Sequence, residues 1–268
     1  MLIRYPTQTA RDLAHWRVLE RQDAVHCRLT AFRRRAEKAV EDLRRFAAAG
    51  PCWVGVSWGK ESTIVAHLAA ALHAQGVEVP VIWFRPRPNA MPACDLVRDT
   101  FLARWPIDYR EVDCEIPLLD SGEWGIDEGY DPHWHAYHRE HPRHVLGLRA
   151  DESRARRLRA RLFGVSTANT CAPLSFWTGA DVFAYLYAHE LPVHPTYAMS
   201  IGGAIERERL RVAALGGDPG RGFGRAEWEE RYYGAALREA RAAARPLEAV
   251  RADQAKGLCP ALRMSTSA

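Results

Sequence analysis

Cys52-Trp-Val-Gly-Val-Ser-Trp-Gly-Lys-Glu-Ser-Thr-Ile-Val65 is the stretch that decides the fold. Its first part, Cys52 to Val56, is an apolar run of small and β-branched residues, which reads as a short buried strand. From Ser62 to Gln75, Ile64, Val65, Leu68, Leu72 and several alanines recur at helical spacing. Between strand and helix lies a turn made of Ser57, Trp58, Gly59, Lys60, Glu61 and Ser62. A helix N-terminus offers orphan N–H groups and the positive end of the backbone dipole, and Lys60 adds a full charge. The turn is therefore read as a phosphate cradle. It is not a Walker A loop, which needs four residues between its glycines and Ser or Thr directly after the lysine. Here Glu61 follows Lys60, and only three residues separate Gly55 from Gly59.

Outward from the cradle, strand and helix patterns alternate. The spacing predicts a strand over Val79–Phe84, a helix near Ala93–Ala103, a strand over Ile107–Val112 and a loop-rich segment to Pro142. A strand over Val145–Leu148 and helices over Glu152–Leu162 and Gly179–His189 follow. Such alternation implies a Rossmann-like α/β fold, a parallel sheet with helices on both faces. In that architecture ligands bind beyond the strand C-termini at the switch point of the sheet, which is where Ser57–Ser62 falls. The division expected is a helical extension over residues 1–50, an α/β domain over 51–198, and a smaller C-terminal part over 199–268. That last part, irregular and then helical over about Ala226–Ala243, is expected to close over the site.

The 268 residues suffice for a full α/β core, and 47% apolar with 26% charged content is ordinary for a folded domain. No apolar run approaches a membrane span and the N-terminal residues lack a signal-peptide layout, so a cytoplasmic protein is expected. Of the 37 cationic side chains only Lys38, Lys60 and Lys256 are lysines. A chain that almost always chooses Arg thus places one of three lysines in the cradle, where a compact ammonium suits a phosphate. The six cysteines, Cys27, Cys52, Cys94, Cys114, Cys171 and Cys259, show no C-x-x-C spacing. They imply neither a zinc ribbon, an iron–sulfur cluster nor a disulfide framework.

A second constellation begins at His144-Val-Leu-Gly-Leu-Arg-Ala-Asp-Glu-Ser-Arg-Ala-Arg157, where seven arginines stand against two acids between Arg143 and Arg161. Arginine at a strand tip beside a phosphate cradle makes a second anion-binding wall. The stretch resembles the G-[IL]-R-x-x-E-S-x-x-R motif of the sulfonucleotide (PAPS) reductase branch of the adenine-nucleotide α-hydrolase, or PP-loop, superfamily. The matching positions are Gly147, Arg149, Glu152, Ser153 and Arg156. The cradle itself resembles the PP-loop pattern S-x-G-x-[DE]-S. Pro173 to Leu186 and Leu191-Pro-Val-His-Pro-Thr-Tyr197 are similar to the family's P-L-x-x-W-x-x-x-D-V-x-x-Y-[IL] and [IL]-P-x-x-P-x-Y.

The resemblance implies a nucleotide-binding domain over 51–198 that takes ATP, or PAPS or APS, with Mg²⁺ helped by Glu61. It implies Lys60, Glu61 and Arg149 as catalytic residues. Ser57, Trp58, Gly59, Ser62, Gly147, Glu152, Ser153 and Arg156 would join them in binding the nucleotide. The chain departs from the pattern in two places. Arg85-Pro-Arg-Pro-Asn89 stands where the family has D-T-G, and the C-terminal E-C-G-[IL]-H motif is missing, leaving only Cys259. Met199-Ser-Ile-Gly-Gly203 lacks the paired cysteines of iron–sulfur members, so no cluster is expected.

The leading expectation is adenylyl transfer: attack of an unknown acceptor at the α-phosphate of ATP, with release of pyrophosphate. The alternatives are sulfonucleotide reduction through Cys259 with thioredoxin, and a nucleotide-binding subunit of a sulfur-transfer or nucleic-acid modification complex. A homodimer stays open, and a membrane partner is not expected. Pro86 and Pro88 are expected to pull the chain out of the sheet and free Arg85 and Arg87 for an extra anionic group on the ligand. Five histidines, His133, His135, His138, His141 and His144, raise a metal site as a further option.

Overall fold

In the computed structural model, which describes residues 1–217, 224–255 and 263–264, the alternation predicted for the middle of the chain is present. Two helices, α1 (Ala10–His26) and α2 (Thr30–Ala48), precede the first strand, β1 (Trp53–Val56). Then come α3 (Lys60–His73), β2 (Val81–Arg87), α4 (Cys94–Leu102), β3 (Tyr109–Glu115), α5 (Ile126–Glu140) and β4 (His144–Val145). The chain continues through α6 (Arg154–Phe163), β5 (Thr170–Cys171), α7 (Gly179–Ala188), α8 (Arg225–Ala243), α9 (Leu247–Ala255) and β6 (Arg263–Met264). The sheet order is β5-β4-β1-β2-β3-β6. Its first five strands run parallel, and β6 adds an antiparallel edge on β3.

Successive strand residues point to opposite faces, and the two faces bury different clusters. Val54, Val56, Val81 and Trp83 join Leu43 of α2, Ile64 and Leu68 of α3 and Val182 of α7 in one core. Trp53, Ile82, Phe84, Val112 and Cys114 face the other way, onto Tyr130, Trp134 and Tyr137 of α5. The first cluster also holds Trp16 of α1 and Trp228, Tyr232 and Tyr233 of α8, so both ends of the chain share in it. Asp181 ties these layers together. It caps α7 through Thr178 and accepts from Arg35 of α2 at 2.6 Å and His26 of α1 at 2.8 Å. Burial alone would raise its carboxyl, but these donors outweigh it and hold the pKa below its usual value.

Two local expectations are corrected. The segment before Pro142 is not loop-rich: it contains α5, with Pro132 inside it. Ile126, Tyr130, Trp134 and Tyr137 recur at helical spacing and pack on Trp53 and Phe84. That aromatic burial offsets an interior proline's cost of about 3 kcal/mol. His138, His141 and His144 belong to this packing too. His138 stacks on Trp134, and His144 meets the rings of His138 and Trp53. Among the described residues no group of three or more His, Cys, Asp or Glu side chains is placed to hold a metal ion.

The second correction concerns β2, which does not leave the sheet at Pro86. Pro86 lies opposite Cys114 and Arg87 opposite Glu115 of β3. Strand β1 has already ended at Val56, opposite Trp83, so that side of β2 no longer needs an amide donor. The two arginines are not free either. Arg85 pairs with Asp95 and stacks on Trp83, while Arg87 donates to Asp113 at 3.0 Å.

Candidate functional site

The order of the sheet places its switch point between β1 and β4, because the chain moves outward through β2 and β3 and then returns to the other side of β1. Two turns meet there: Ser57–Ser62 after β1, and Leu146–Arg149 after β4. The first is held open by an internal hydrogen-bond relay. The Ser57 amide donates to Ser62 Oγ at 3.2 Å, and Ser62 Oγ donates to the Gly59 carbonyl at 3.1 Å. The helix therefore starts at Lys60, with Gly59 as N-cap, and Ser62 braces the turn rather than capping it.

Trp58 sits in the left-handed region with φ of 58°, a conformation a bulky residue adopts only where its surroundings enforce it. Its ring supplies the enforcement. It is fully buried between Phe101 of α4 and Tyr109 of β3. Trp58 thus offers the site its backbone only, and acts as the anchor that turns Gly59 and Lys60 onto the helix.

The second turn comes very close to the first. A Cβ on Gly147 would lie 2.9 Å from the carbonyl carbon and 3.1 Å from the carbonyl oxygen of Glu61. Only glycine lets β4 pass so near the first turn of α3. Gly147→Ala is expected to push the two turns apart at a cost of about 1–3 kcal/mol. Urea unfolding of the variant would measure it, and an unchanged midpoint would contradict the close approach.

Arg149 closes the contact electrostatically. Its Nε donates to Glu61 Oε1 at 3.0 Å, and its Nη1 reaches both Asp151 oxygens at 2.6 and 2.7 Å. Burial pulls the guanidinium pKa down, but Glu61, Asp151 and Glu152 outweigh it and the net shift is upward. Glu152, Ser153 and Arg156 hold the turn's shape. Glu152 accepts the Arg149 amide at 3.0 Å and pairs with Arg156, and Ser153 caps α6 by accepting from the Arg156 amide.

Lys60 is almost wholly enclosed. Its Nζ donates to the Leu210 carbonyl at 3.1 Å, lies 3.4 Å from Glu61 Oε1, and sits over the Tyr197 ring at 4.7 Å. Burial, the largest influence, lowers its pKa, opposed by Glu61. An ammonium has three donors, and two of Lys60's have these partners. Glu61 in turn stands between two cations, so a metal ion at this carboxylate would have to displace Lys60 or Arg149. The side chains present do not form a ready Mg²⁺ site, and the metal enters the chemistry below only as part of its nucleotide substrate.

The sequence suggested only that the part after residue 199 closes over the site, without naming the residues of the strap that encloses Lys60. After a 3-10 turn at Arg207–Arg209, residues 210–216 cross the cradle and are fixed along their length. The Tyr197 hydroxyl accepts from the Lys60 amide at 2.9 Å and from the Val212 amide. Arg225 donates to the Arg211 carbonyl at 3.2 Å. Asn89 exchanges two hydrogen bonds with Leu215, at 2.8 and 3.1 Å, and Glu229 accepts the Gly216 amide at 2.9 Å. Tyr197 ends the P-x-Y motif, which was the one available signal. Within the expected C-terminal cover, nothing in the pattern of residues 206–217 marked them as the segment that crosses the cradle.

Under the strap is a cavity of about 230 Å³, lined chiefly by apolar side chains including Val56, Trp83, Met91, Ile116 and Val212. It opens beyond the C-terminal ends of β1 and β2, beside Ser57. A larger cavity of about 680 Å³ lies between α1 and α7 and shares no lining residue with the cradle. Two of its carboxylates are already paired, Asp23 with Arg207 and Glu190 with Arg104. Of the sequence candidates, the structure brings Ser57, Gly59, Lys60, Glu61, Ser62, Gly147 and Arg149 together. Cys259 lies outside the described residues.

Residues 132–206 match the family model described as the phosphoadenosine phosphosulfate reductase domain. The chain is thus similar to that family over β4, β5, α7 and the Tyr197 segment, the region from which the second set of motifs was read. The cradle turn precedes the matched region. No curated protein sequence matches the chain. Among solved structures, Candida glabrata FMN adenylyltransferase in complex with ATP aligns at 14% identity and a TM-score of 0.41. That alignment covers 65% of this chain and 63% of the other, so this chain spans less than two thirds of that protein's length. U34-tRNA thiolase NcsA from Methanococcus maripaludis, with its 4Fe-4S cluster, aligns at 12% identity and a TM-score of 0.40. It covers 80% of this chain and 78% of that one.

Proposed function

We propose that this protein is a PAPS reductase-like, PP-loop enzyme that binds an adenine nucleotide at the β1–β4 switch point and acts at its α-phosphate. One observation carries the reading. The first turn of a buried helix, with Lys60 at its head, is held against Arg149 from the turn after the neighbouring strand, so two cations stand on either side of Glu61 where the two turns meet. Such an arrangement neutralises a polyphosphate, and the apolar cavity beside Ser57 accommodates a flat base.

The reaction proposed is adenylyl transfer from Mg·ATP. An oxygen nucleophile of the acceptor forms a bond to the α-phosphorus while the bond to the bridging oxygen of the β-phosphate breaks. The acceptor's proton passes to solvent and pyrophosphate leaves. The chemistry needs positioning and charge neutralisation rather than a protein nucleophile. That suits a site whose nearby thiol is inert. Cys94 lines the cavity but is buried, and burial raises its thiol pKa.

Titration calorimetry with ATP, APS and PAPS tests the reading. ATP should bind, and Lys60→Ala should weaken binding by about 1.5–3 kcal/mol, the worth of a hydrogen bond to a charged group. Cys259→Ser should leave pyrophosphate release unchanged. A protein that ignores ATP but consumes PAPS in a Cys259-dependent way would be the reductase instead.

A further inference from the structure

Helix α6 shows solvent two side-chain stripes that the proposed nucleotide site does not use. Ala155, Leu158 and Leu162 follow at i, i+3 and i+7 and so share one face. Leu158 is 56% exposed, Leu162 66% and the adjoining Phe163 58%. Ala160 alone in this helix is buried. Arg154, Arg157 and Arg161 repeat the same spacing on the neighbouring face and are also exposed. Arg159 and Arg156 are tied down, to Thr170 Oγ1 at 2.7 Å and to Glu152. The helix contains no acidic residue. Phe176, exposed as well, follows Ser175, whose carbonyl accepts the Ala150 amide just ahead of the helix.

We propose that this face of α6 docks a protein partner whose contact surface is apolar at its centre and acidic at its rim. The apolar stripe needs cover, since contiguous exposed leucine and phenylalanine mark interaction sites. The adjacent arginine stripe needs carboxylates. Only a surface supplying both satisfies the two stripes at once, with buried anchors inside a charged rim. A nucleic acid would neutralise the arginines but leave Leu158 and Leu162 against phosphates and water. A second copy docking through the same face would set Arg154, Arg157 and Arg161 against their own counterparts. The chain's own residues 256–268 contain no acid to offer them. The proposal does not depend on the nucleotide reading.

The test uses the full chain and a synthetic amphipathic helical peptide with leucines on one face and glutamates flanking them, followed by fluorescence anisotropy. Binding is expected, weakening with added salt. Leu158→Ser/Leu162→Ser should reduce the affinity by about tenfold or more. Arg157→Glu/Arg161→Glu should do the same, while Arg157→Lys/Arg161→Lys largely retains binding. All these positions are exposed, and circular dichroism checks that each variant is folded. Peptide affinity unchanged in the leucine variant would overturn the proposal. So would tighter binding of a single-stranded RNA of matched charge that ignores the leucine variant, or a dimer in sedimentation that the leucine variant dissociates.

Discussion

Arg149→Ala is expected to lower the unfolding free energy by about 3 kcal/mol and to abolish the proposed nucleotide binding. The side chain is 3% exposed and is the partner of two carboxylates from different parts of the chain. Removing one member of a buried ion pair strands the other, at about 3–5 kcal/mol. The lower end applies because Asp151 is half exposed and rehydrates, leaving Glu61 with Lys60 alone. The proposed nucleotide binding should fail for a second reason: the crevice loses a cation while the Glu61 charge stays. A double-mutant cycle separates the two effects. Glu61→Gln added to Arg149→Ala should cost less than the sum of the two single losses, since both remove the same ion pair, but should not restore binding. Additive losses in chemical denaturation would mean that Glu61 and Arg149 do not act on one another.

How far this site was legible in the sequence differs from turn to turn. Val54 to Ser62 announced a strand, a turn and a helix by composition alone, and the structure places all three there. Arg149 was legible because a Gly-Leu-Arg tip on a short strand has few structural uses for its guanidinium. Glu152, Ser153 and Arg156 matched a motif, yet their hydrogen bonds all close the turn that aims Arg149. A motif records which residues occur together, not what each side chain bonds to. Trp58 shows the same limit, since its place in the cradle depends on a ring buried in the core. Helix α5 was obscured by Pro132 and its histidines, though the Ile126/Tyr130/Trp134/Tyr137 spacing was there to be counted. The residues of the strap over Lys60 had no local signature, because they are held by hydrogen bonds with Asn89, Tyr197, Arg225 and Glu229, none of them a neighbour in sequence.

That strap is the setting for the other large effect expected. Arg207→Ala should destabilise the protein by about 3–5 kcal/mol at neutral pH. Arg207 is 4% exposed and meets Asp23 of α1 through two hydrogen bonds, at 2.7 and 2.5 Å, with its guanidinium over the Phe183 ring at 3.9 Å. It also begins the turn that carries Leu210 to Lys60, so the pair fixes the strap to the helical layer at the point where the cover starts. Burial outweighs Arg207 and raises the Asp23 pKa above its usual 3.8 even in the intact pair. Without the guanidinium the native carboxyl should titrate higher still. A group whose native pKa is raised adds stability that is fully present below its unfolded pKa and is lost as pH rises through the native value. The deficit of Arg207→Ala should therefore be smallest near pH 3.8 and grow toward neutrality. Asp23→Asn in the same background should flatten that dependence. Urea unfolding of the three proteins across this range measures it. A deficit independent of pH would mean that Asp23 is not the stranded group and that Arg207 holds the strap by stacking on Phe183 instead.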